Sequence, residues 1–169
     1  SRFPGIVPNP SITNPDFLSL ASDDFIFQTI RNGRPGRPML PWGDRVNGFT
    51  DDEIRSVIAY IRRLGANVQA QPDPNPQIWA TGTVDLGSLL FASNCSGCHG
   101  KNGIGGDGPA LGNKMFLSSV SDTYLIETIR RGRSGTVMQG FGNPSPIRRV
   151  LTQQEIESIV VFLRSLKAK

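Results

Sequence analysis

Apolar side chains in the C-terminal half of this sequence recur at the three- and four-residue spacing of amphipathic helices. The segment Thr152-Gln153-Gln154-Glu155 has the form of a capping box, and an apolar stripe follows it at Ile156, Ile159, Val160, Leu163 and Leu166. The pattern also predicts a helix from about Asp122 to Arg131 and another over Leu86–Asn94, with Asp85 as its cap. No segment alternates as a strand would. The fold class predicted is therefore all-α.

The first half of the sequence repeats the second at an offset of ninety-nine residues. Residues 29–36 fall on 128–135, and Met39 falls on Met138. After a three-residue difference in the next loop, the box Thr50-Asp51-Asp52-Glu53 matches 152–155, and the stripe recurs at Ile54, Val57, Ile58, Ile61 and Leu64. Self-similarity of this kind indicates two related domains in tandem.

The motif Cys95-Ser96-Gly97-Cys98-His99 is the strongest chemical signal, because Cys-x-x-Cys-His is the attachment site of a c-type haem. Two thiols on one turn can add to the two vinyl groups of one porphyrin, and His99 then points its imidazole at the iron. Zinc needs about four ligands, whereas the chain has two cysteines and one histidine. A thioredoxin-like motif would sit in a βαβ pattern, which is absent. A short-loop disulfide with an incidental histidine is the remaining alternative.

The second axial ligand has to be a residue other than histidine, because His99 is the only one in the chain. Methionine is the obvious donor, since a thioether opposite histidine raises the reduction potential of a haem. Met138 lies in the Gly-punctuated segment 135–141, where backbone freedom lets a side chain fold back over the haem. Met115 is interpreted as a core or loop residue. We therefore predict Met138 as the distal ligand.

From about residue 85 to 169, the sequence resembles a class I cytochrome c domain. The family's order is present as Gly87-x-x-x-Phe91, the Cys95–His99 motif, Gly108-Pro109-Ala110-Leu111, the Met138 loop and a terminal helix that carries Phe162. Taken singly these short patterns are weak, but in this order around Cys-x-x-Cys-His they are specific.

The resemblance implies that the carbonyl of Pro109 accepts the Nδ1 proton of His99 and so fixes the ring. It implies that Phe162 packs against Gly87 and Phe91. It also implies one covalent haem c and residence in the periplasm or another extracytoplasmic compartment. The chain shows no signal peptide, which suggests a mature or trimmed product.

The first domain is expected to be incomplete, because the offset places the counterpart of His99 before Ser1. We divide the chain into an incomplete cytochrome c-like domain (1–66), a Pro-rich, extended linker (67–84) and a haem-bearing cytochrome c domain (85–169). Three explanations stay open: the missing part lies upstream, the domain has lost its haem, or another polypeptide completes it.

Met39 is the candidate ligand of a second haem, attached upstream or by another chain. Ordinary packing is an equal alternative for this methionine. A second haem would require an apolar pocket on this side, lined by residues such as Ile12, Phe17, Ile30 and Trp42.

The formal net charge of +4 belongs to the second half, where ten Lys and Arg face six acids, while the first half has eight of each. Five arginines flank the Met138 loop and would form a basic rim that steers an acidic redox partner: Arg130, Arg131, Arg133, Arg148 and Arg149. Scattered solubilising charge is the alternative. Nucleic-acid binding is not favoured, because no reader motif is present. No apolar run is long enough to predict a membrane span.

The function predicted is single-electron transfer between redox protein partners through a His/Met-ligated haem. The alternative is a haem-bearing subunit of an oxidoreductase, such as a larger respiratory complex, or a peroxidase-like enzyme in which Met138 leaves the iron. Ligand sensing is a third class.

Overall fold

Eight α-helices follow one another in the part of the chain that the computed structural model describes, which is residues 11–35, 39–43, 48–146 and 148–166. They are α1 (Pro15–Leu20), α2 (Asp23–Asn32), α3 (Asp51–Leu64), α4 (Val84–Asn94), α5 (Ser96–His99), α6 (Lys114–Ser119), α7 (Asp122–Arg131) and α8 (Gln153–Leu166), with a 3₁₀ turn at Lys101–Gly103. These residues contain isolated β-bridges but no strand. The predicted all-α class is confirmed. None of the described helices is long and apolar enough to cross a bilayer.

The two predicted capping boxes are present and start the longest helices. Thr50 Oγ1 accepts the amide of Glu53 at 3.3 Å, and the Glu53 carboxylate accepts the amide of Thr50 at 2.8 Å. Thr152 and Glu155 make the same pair of bonds at 3.3 and 2.9 Å. Each box satisfies two backbone donors that the helix itself cannot.

The predicted cap of α4 was wrong. Thr83 caps the helix, because its Oγ1 accepts the amide of Leu86 at 3.4 Å. Asp85 stands inside the first turn, where a carboxylate still interacts favourably with the positive end of the helix. The helix therefore begins earlier than the sequence pattern indicated.

Helices α4 and α8 cross in direct backbone contact. A Cβ at Gly87 would lie 1.9 Å from the carbonyl oxygen of Ser158 and 2.8 Å from Cβ of Phe162, so the crossing admits only glycine. Next to it, the rings of Phe91 and Phe162 lie 5.3 Å apart between centroids. The predicted packing of Phe162 on Gly87 and Phe91 is confirmed.

Three helices of the first half match three of the second in length and order: α1 with α6, α2 with α7 and α3 with α8. The loops that follow α2 and α7 also match. The amide of Arg34 donates to Met39 O at 2.8 Å, and the amide of Arg133 donates to Met138 O at 2.6 Å. Counterparts of α4 and α5 do not occur among the described residues of the first half.

Each half contains a buried arginine that clamps two helices together. Arg62 on α3 donates to Asp23 and to the carbonyls of Leu18 and Ala21. Arg164 on α8 occupies the matching place, and donates to Asp122 and to the carbonyls of Leu117 and Val120. A buried guanidinium needs this full set of acceptors.

The two halves pack through contacts that occur in pairs. Phe25 of the first half lies 6.1 Å from Phe116 and 5.2 Å from Tyr124 of the second, between ring centroids. Asn14 Nδ2 donates to Ser134 O at 2.9 Å, and Asn113 Nδ2 makes the matching bond to Pro35 O at 3.0 Å. In the same way, Arg34 lies over the ring of Phe116, and Arg133 lies over the ring of Phe17. The first half therefore uses the second as part of its core.

The proline-rich segment before α4 contains no helix or strand, and hydrogen bonds fasten it to both halves. Gln71 N donates to Ser19 O at 2.8 Å. Further on, Ser121 donates to Asp73, and the amides of Trp79 and Ala80 donate to Asp122 at 2.6 and 2.7 Å. The segment thus ties the two halves together rather than spacing them apart.

Substitution of the two clamp arginines, Arg62 and Arg164, should lower the free energy of unfolding by unequal amounts. Arg164→Met leaves the fully buried Asp122 carboxylate without its cation, and we expect a loss of about 3 kcal/mol in the free energy of unfolding. Arg62→Met leaves Asp23, whose side chain is 64% exposed and stays hydrated, so the loss should be clearly smaller. Denaturant unfolding of the haem-loaded variants measures both. Equal losses would contradict this explanation.

Candidate haem site

The Cys-x-x-Cys-His motif forms a single helical turn at the end of α4. The amides of Cys98 and His99 donate to the carbonyl of Cys95 at 3.2 and 2.9 Å. Residues three apart on such a turn lie on the same side. Cys95 is half-buried, Cys98 is exposed and His99 is buried. The turn therefore presents two thiols together, as attachment to one porphyrin requires.

The environment of Cys95 argues against thiolate chemistry. Burial raises the pKa of the Cys95 thiol to about 12, and the neighbouring Cys98 adds to the shift. Redox-active Cys-x-x-Cys pairs need a lowered pKa, because the thiolate is the reactive form. The site therefore disfavours the thioredoxin-like alternative. It fits cysteines held in thioether bonds, which have no ionisable proton.

The ring of His99 is held from one side. Its Nδ1 lies 2.9 Å from the carbonyl oxygen of Pro109, and since a carbonyl can only accept, Nδ1 carries the proton. Gly108 presses on the same edge, where an added Cβ would lie 2.8 Å from Cε1 of the ring. None of the hydrogen bonds among the described residues involves Nε2 of His99. Nε2 therefore keeps its lone pair for a metal.

Met138 lies in a tight loop after α7. Gly132 starts the loop at φ +74°, and an added Cβ there would lie 2.3 Å from the amide of Gly140. The amide of Met138 donates to Thr136 Oγ1 at 3.1 Å, and its side chain is half-buried. Within the described residues, no hydrogen bond joins this loop to the His99 turn. Hydrogen bonds fix the loop backbone, and among the described residues none involves the Met138 sulfur.

Met115, the rejected candidate, lies elsewhere. It sits on α6 and lines an open cleft between the halves together with residues such as Leu20, Phe25, Pro72 and Tyr124. The lining of that cleft does not include His99. This placement favours Met138 over Met115.

Large apolar side chains on α4, after the 3₁₀ turn and in the Met138 loop are exposed to solvent. Leu89 of α4 is 70% exposed, Ile104 after the 3₁₀ turn is 64% exposed, and Val137 beside Met138 is 89% exposed. Covering such surface is favourable at about 25 cal/mol per Å². Two thiols on one turn and an Nε2 of His99 without a hydrogen bond form a donor set that fits a haem, and Met138 stays a predicted ligand.

The family comparison agrees with this chemistry. The Cytochrome c family model matches residues 84–167. The chain is a c-type cytochrome. The group that this family binds is haem c, attached covalently.

Relatives match nearly all of this cytochrome. The cbb3-type cytochrome c oxidase subunit FixP of Bradyrhizobium diazoefficiens is 29% identical over 167 residues, which cover 93% of this chain and 52% of the relative. FixP of Azorhizobium caulinodans is 31% identical, with 93% and 50% covered, and CcoP of Helicobacter pylori is 23% identical, with 86% and 47% covered. The chain thus spans about half the length of the curated relatives it matches.

A solved structure shares the fold over both halves. The Kuenenia stuttgartiensis reducing HAO-like protein complex Kustc0457/Kustc0458 aligns with a TM-score of 0.50 at 18% identity, and the match covers 94% of this chain and 82% of that one. At this identity the likeness concerns the fold alone.

The first-half candidates lie around Met39, which is half-buried. Phe17 and Ile30 are half-buried as well, whereas Ile12 is 56% and Trp42 is 48% exposed. Trp42 stacks on Phe49 at 5.6 Å between centroids. Two of the four expected pocket residues are therefore partly buried, and the other two are exposed to solvent.

The expected basic rim needs correction. Arg130 and Arg131 both pair with Glu127, and Arg149 pairs with Glu155. Arg148 instead donates to Gly140 O at 2.6 Å and lies over the ring of Phe141. Two carboxylates, Glu127 and Glu155, therefore pair with three of the five arginines and offset part of the positive charge near the loop.

Sequence reasoning missed the polar cluster behind the Met138 loop. Arg133 donates to Tyr124 Oη at 3.2 Å and to Thr128 Oγ1 at 3.0 Å. Burial raises the pKa of Tyr124, although Arg133 opposes the shift, and burial lowers the pKa of Arg34 nearby. The repeat aligns Arg34 with Arg133, and this recurrence was the available signal in the sequence. From the sequence alone, Arg133 is instead interpreted as surface charge.

The start of α8 predicts a dependence on pH. Hydrogen bonds from Arg149 and Thr152 lower the pKa of Glu155 from its ordinary 4.5 to about 2. A lowered pKa in the folded state stabilises the fold above the ordinary value, and this contribution is lost as the pH falls towards 2. Glu155→Gln should therefore destabilise the protein at pH 7, and the difference from wild type should shrink between about pH 4.5 and 2. Chemical unfolding across this range measures it, and a constant difference would contradict the assignment.

Proposed function

We propose that this chain carries single electrons as a haem-bearing subunit of a respiratory oxidoreductase complex of the cbb3-oxidase type. The proposal of electron transfer depends on one observation, the fixed imidazole of His99. Its Nδ1 donates to the carbonyl oxygen of Pro109 at 2.9 Å, and none of the described hydrogen bonds involves its Nε2. The alignment of 93% of the chain with FixP subunits supports the assignment to a complex rather than to a free carrier, which the sequence had favoured.

The bound haem supplies the Fe(III)/Fe(II) couple. In the proposal, Cys95 and Cys98 would anchor the group through thioether bonds, and His99 and Met138 would bind its iron. The bond from His99 to Pro109 fixes the ring and raises the basicity of Nε2. The hydrogen bonds from His99 to Pro109 and from Met138 to Thr136 would hold both residues in place.

We further propose that residues 1–66 are an incomplete cytochrome c domain, joined by residues 67–84 to the haem domain at 85–169. The matched helices and the matched loop bonds of Met39 and Met138 support this division. In this arrangement Met39 is the ligand of a second haem whose attachment lies outside the chain. An extracytoplasmic location follows from the same family likeness.

The ligand assignment predicts two different outcomes for two methionines. Met138→Ala should abolish the sulfur-to-iron charge-transfer band and lower the reduction potential by on the order of a few tenths of a volt, since axial ligation sets haem potentials over about 0.8 V. Met115→Ala is the matched control and should change neither. Optical spectroscopy and redox titration of the purified proteins measure both.

Equal spectral effects of the two substitutions would overturn the role of Met138. A resting wild-type iron that is high-spin and binds added ligands would favour the peroxidase-like alternative instead.

The number of haems follows from the cysteines. The chain contains two, which is enough for the thioether bonds of one haem. Mass spectrometry of the denatured 169-residue chain should therefore find the polypeptide plus one haem. The double variant Cys95→Ala/Cys98→Ala should carry no covalent haem. A mass with zero or two haems in the wild type would refute the assignment.

A further inference from the structure

The start of α1, in the first half, holds the loop that carries Met138 in the second. Asn14 Nδ2 donates to the carbonyl oxygen of Ser134 at 2.9 Å, and the amide of Ser134 donates to the carboxylate of Asp16 at 2.5 Å. We name Asn14 and Asp16 the α1 anchor. Both polar groups of the Ser134 backbone are therefore bound by side chains of the other half.

Hydrogen bonds inside the loop connect Ser134 to Met138. The amide of Arg133, the residue before Ser134, donates to Met138 O at 2.6 Å, and the carbonyl of Arg133 accepts the hydroxyl of Thr136 at 2.8 Å. The oxygen of that hydroxyl accepts the amide of Met138 at 3.1 Å. The backbone of Met138 is thus linked at its carbonyl and at its amide to the neighbour of Ser134, so a shift of Ser134 acts on the position of Met138.

The repeat supplies a comparison within the same molecule. The counterpart of Ser134 in the first half is Pro35, whose carbonyl accepts Asn113 Nδ2 at 3.0 Å. Proline has no N–H to donate, and Met115 stands where α1 has Asp16. Of these two matched contacts, the one in which the loop offers an amide is the one that has the carboxylate. The Met138 loop therefore has a bond to the other half that its counterpart cannot make.

The bond between Ser134 and Asp16 has an ionised acceptor. The hydrogen bond from the Ser134 amide is the main cause that lowers the pKa of the Asp16 carboxyl, and the charges of Arg133 and Arg131 lower it further. Hydrogen bonds to an ionised group are stronger than those between neutral groups. The guanidinium of Arg133 also lies 5.9 Å from the ring centroid of Phe17, which follows Asp16 in α1. One turn of α1 thus contacts two successive residues of the loop.

We propose that Asn14 and Asp16 are positioning residues for the distal ligand. By binding Ser134 they hold the Met138 loop closed, and they thereby set how readily an added ligand replaces Met138. The first half acts on the haem site through this turn of helix. The inference rests on the proposed role of Met138 as an axial ligand and adds two residues of the other half to that site.

The test uses the haem-loaded protein and imidazole as the added ligand. Imidazole binds when Met138 has left, so its apparent affinity falls as the loop is held closed more firmly. Asp16→Ala removes the acceptor of the Ser134 amide and should raise the apparent affinity about threefold or more, as expected for the loss of one hydrogen bond. The amides of residues 133–139 should exchange with deuterium faster by a similar factor. Asp16→Asn keeps an acceptor and should restore most of the wild-type behaviour.

The repeat also supplies a matched control. Asn14→Ser and Asn113→Ser each remove one amide donor between the halves, and the serine hydroxyl can still cap the helix that the asparagine caps. Asn14 bonds to the Met138 loop, whereas Asn113 bonds to the matching loop of the first half. Asn14→Ser combined with Asp16→Ala should raise the imidazole affinity about tenfold. Asn113→Ser should leave it at the wild-type value.

An imidazole affinity that is the same in the wild type and in the anchor variants would overturn the proposal. An equal rise in Asn113→Ser would also overturn it, because the effect would then belong to the contact between the halves as a whole. The resting spectrum of the wild type tests the proposed function separately. A wild type without the sulfur-to-iron band would refute ligation by Met138, while faster amide exchange at 133–139 in Asp16→Ala would still support the hold of α1 on the loop.

Discussion

The contact between Gly87 and the backbone of Ser158 determines where the haem motif stands. Because no side chain separates the two helices, α4 has one position on α8, and the end of α4 is fixed with it. Cys95 directly follows the end of α4, so the position of α4 also sets the position of the turn that holds both thiols and His99. The bond from His99 to Pro109 then sets the direction of the ring. The chemistry of the site thus depends on a helix crossing that lies outside it.

The paired clamps and the paired contacts between the halves make the first half a structural part of the second. Phe25 covers Phe116 and Tyr124, and Arg34 lies 4.8 Å over the ring of Phe116. The described residues of the first half contain no counterpart of α4, and a small unit buries little apolar surface alone. Its neighbour supplies part of that surface, and the fastened proline-rich segment keeps the two in contact. Loss of the first half would expose aromatic residues of the haem domain.

The fold was largely predictable, because helical periodicity and capping boxes are local signals. The helix at Asp122–Arg131 begins and ends where the pattern placed it, and both capping boxes form their expected bonds. Thr83 was missed as a cap because Asp85 satisfies the same local rule and only the three-dimensional start of α4 distinguishes them. The motif predicted the haem, and the contact of His99 with Pro109 came from the family resemblance.

The clamps of Arg62 and Arg164 could not be predicted from the sequence. An arginine in an amphipathic helix is normally assigned to the side that faces solvent. Its burial depends on carbonyls at the ends of α1 and α6, which are distant in sequence. Glu127 pairs with two arginines of the expected basic rim, Arg130 and Arg131, at the i,i+3 and i,i+4 positions of α7. Local patterns therefore located most of the helices and the Cys-x-x-Cys-His motif, whereas the arginine clamps required the fold. For this reason the distribution of surface potential is a weaker guide to the redox partner than the position of the ligands.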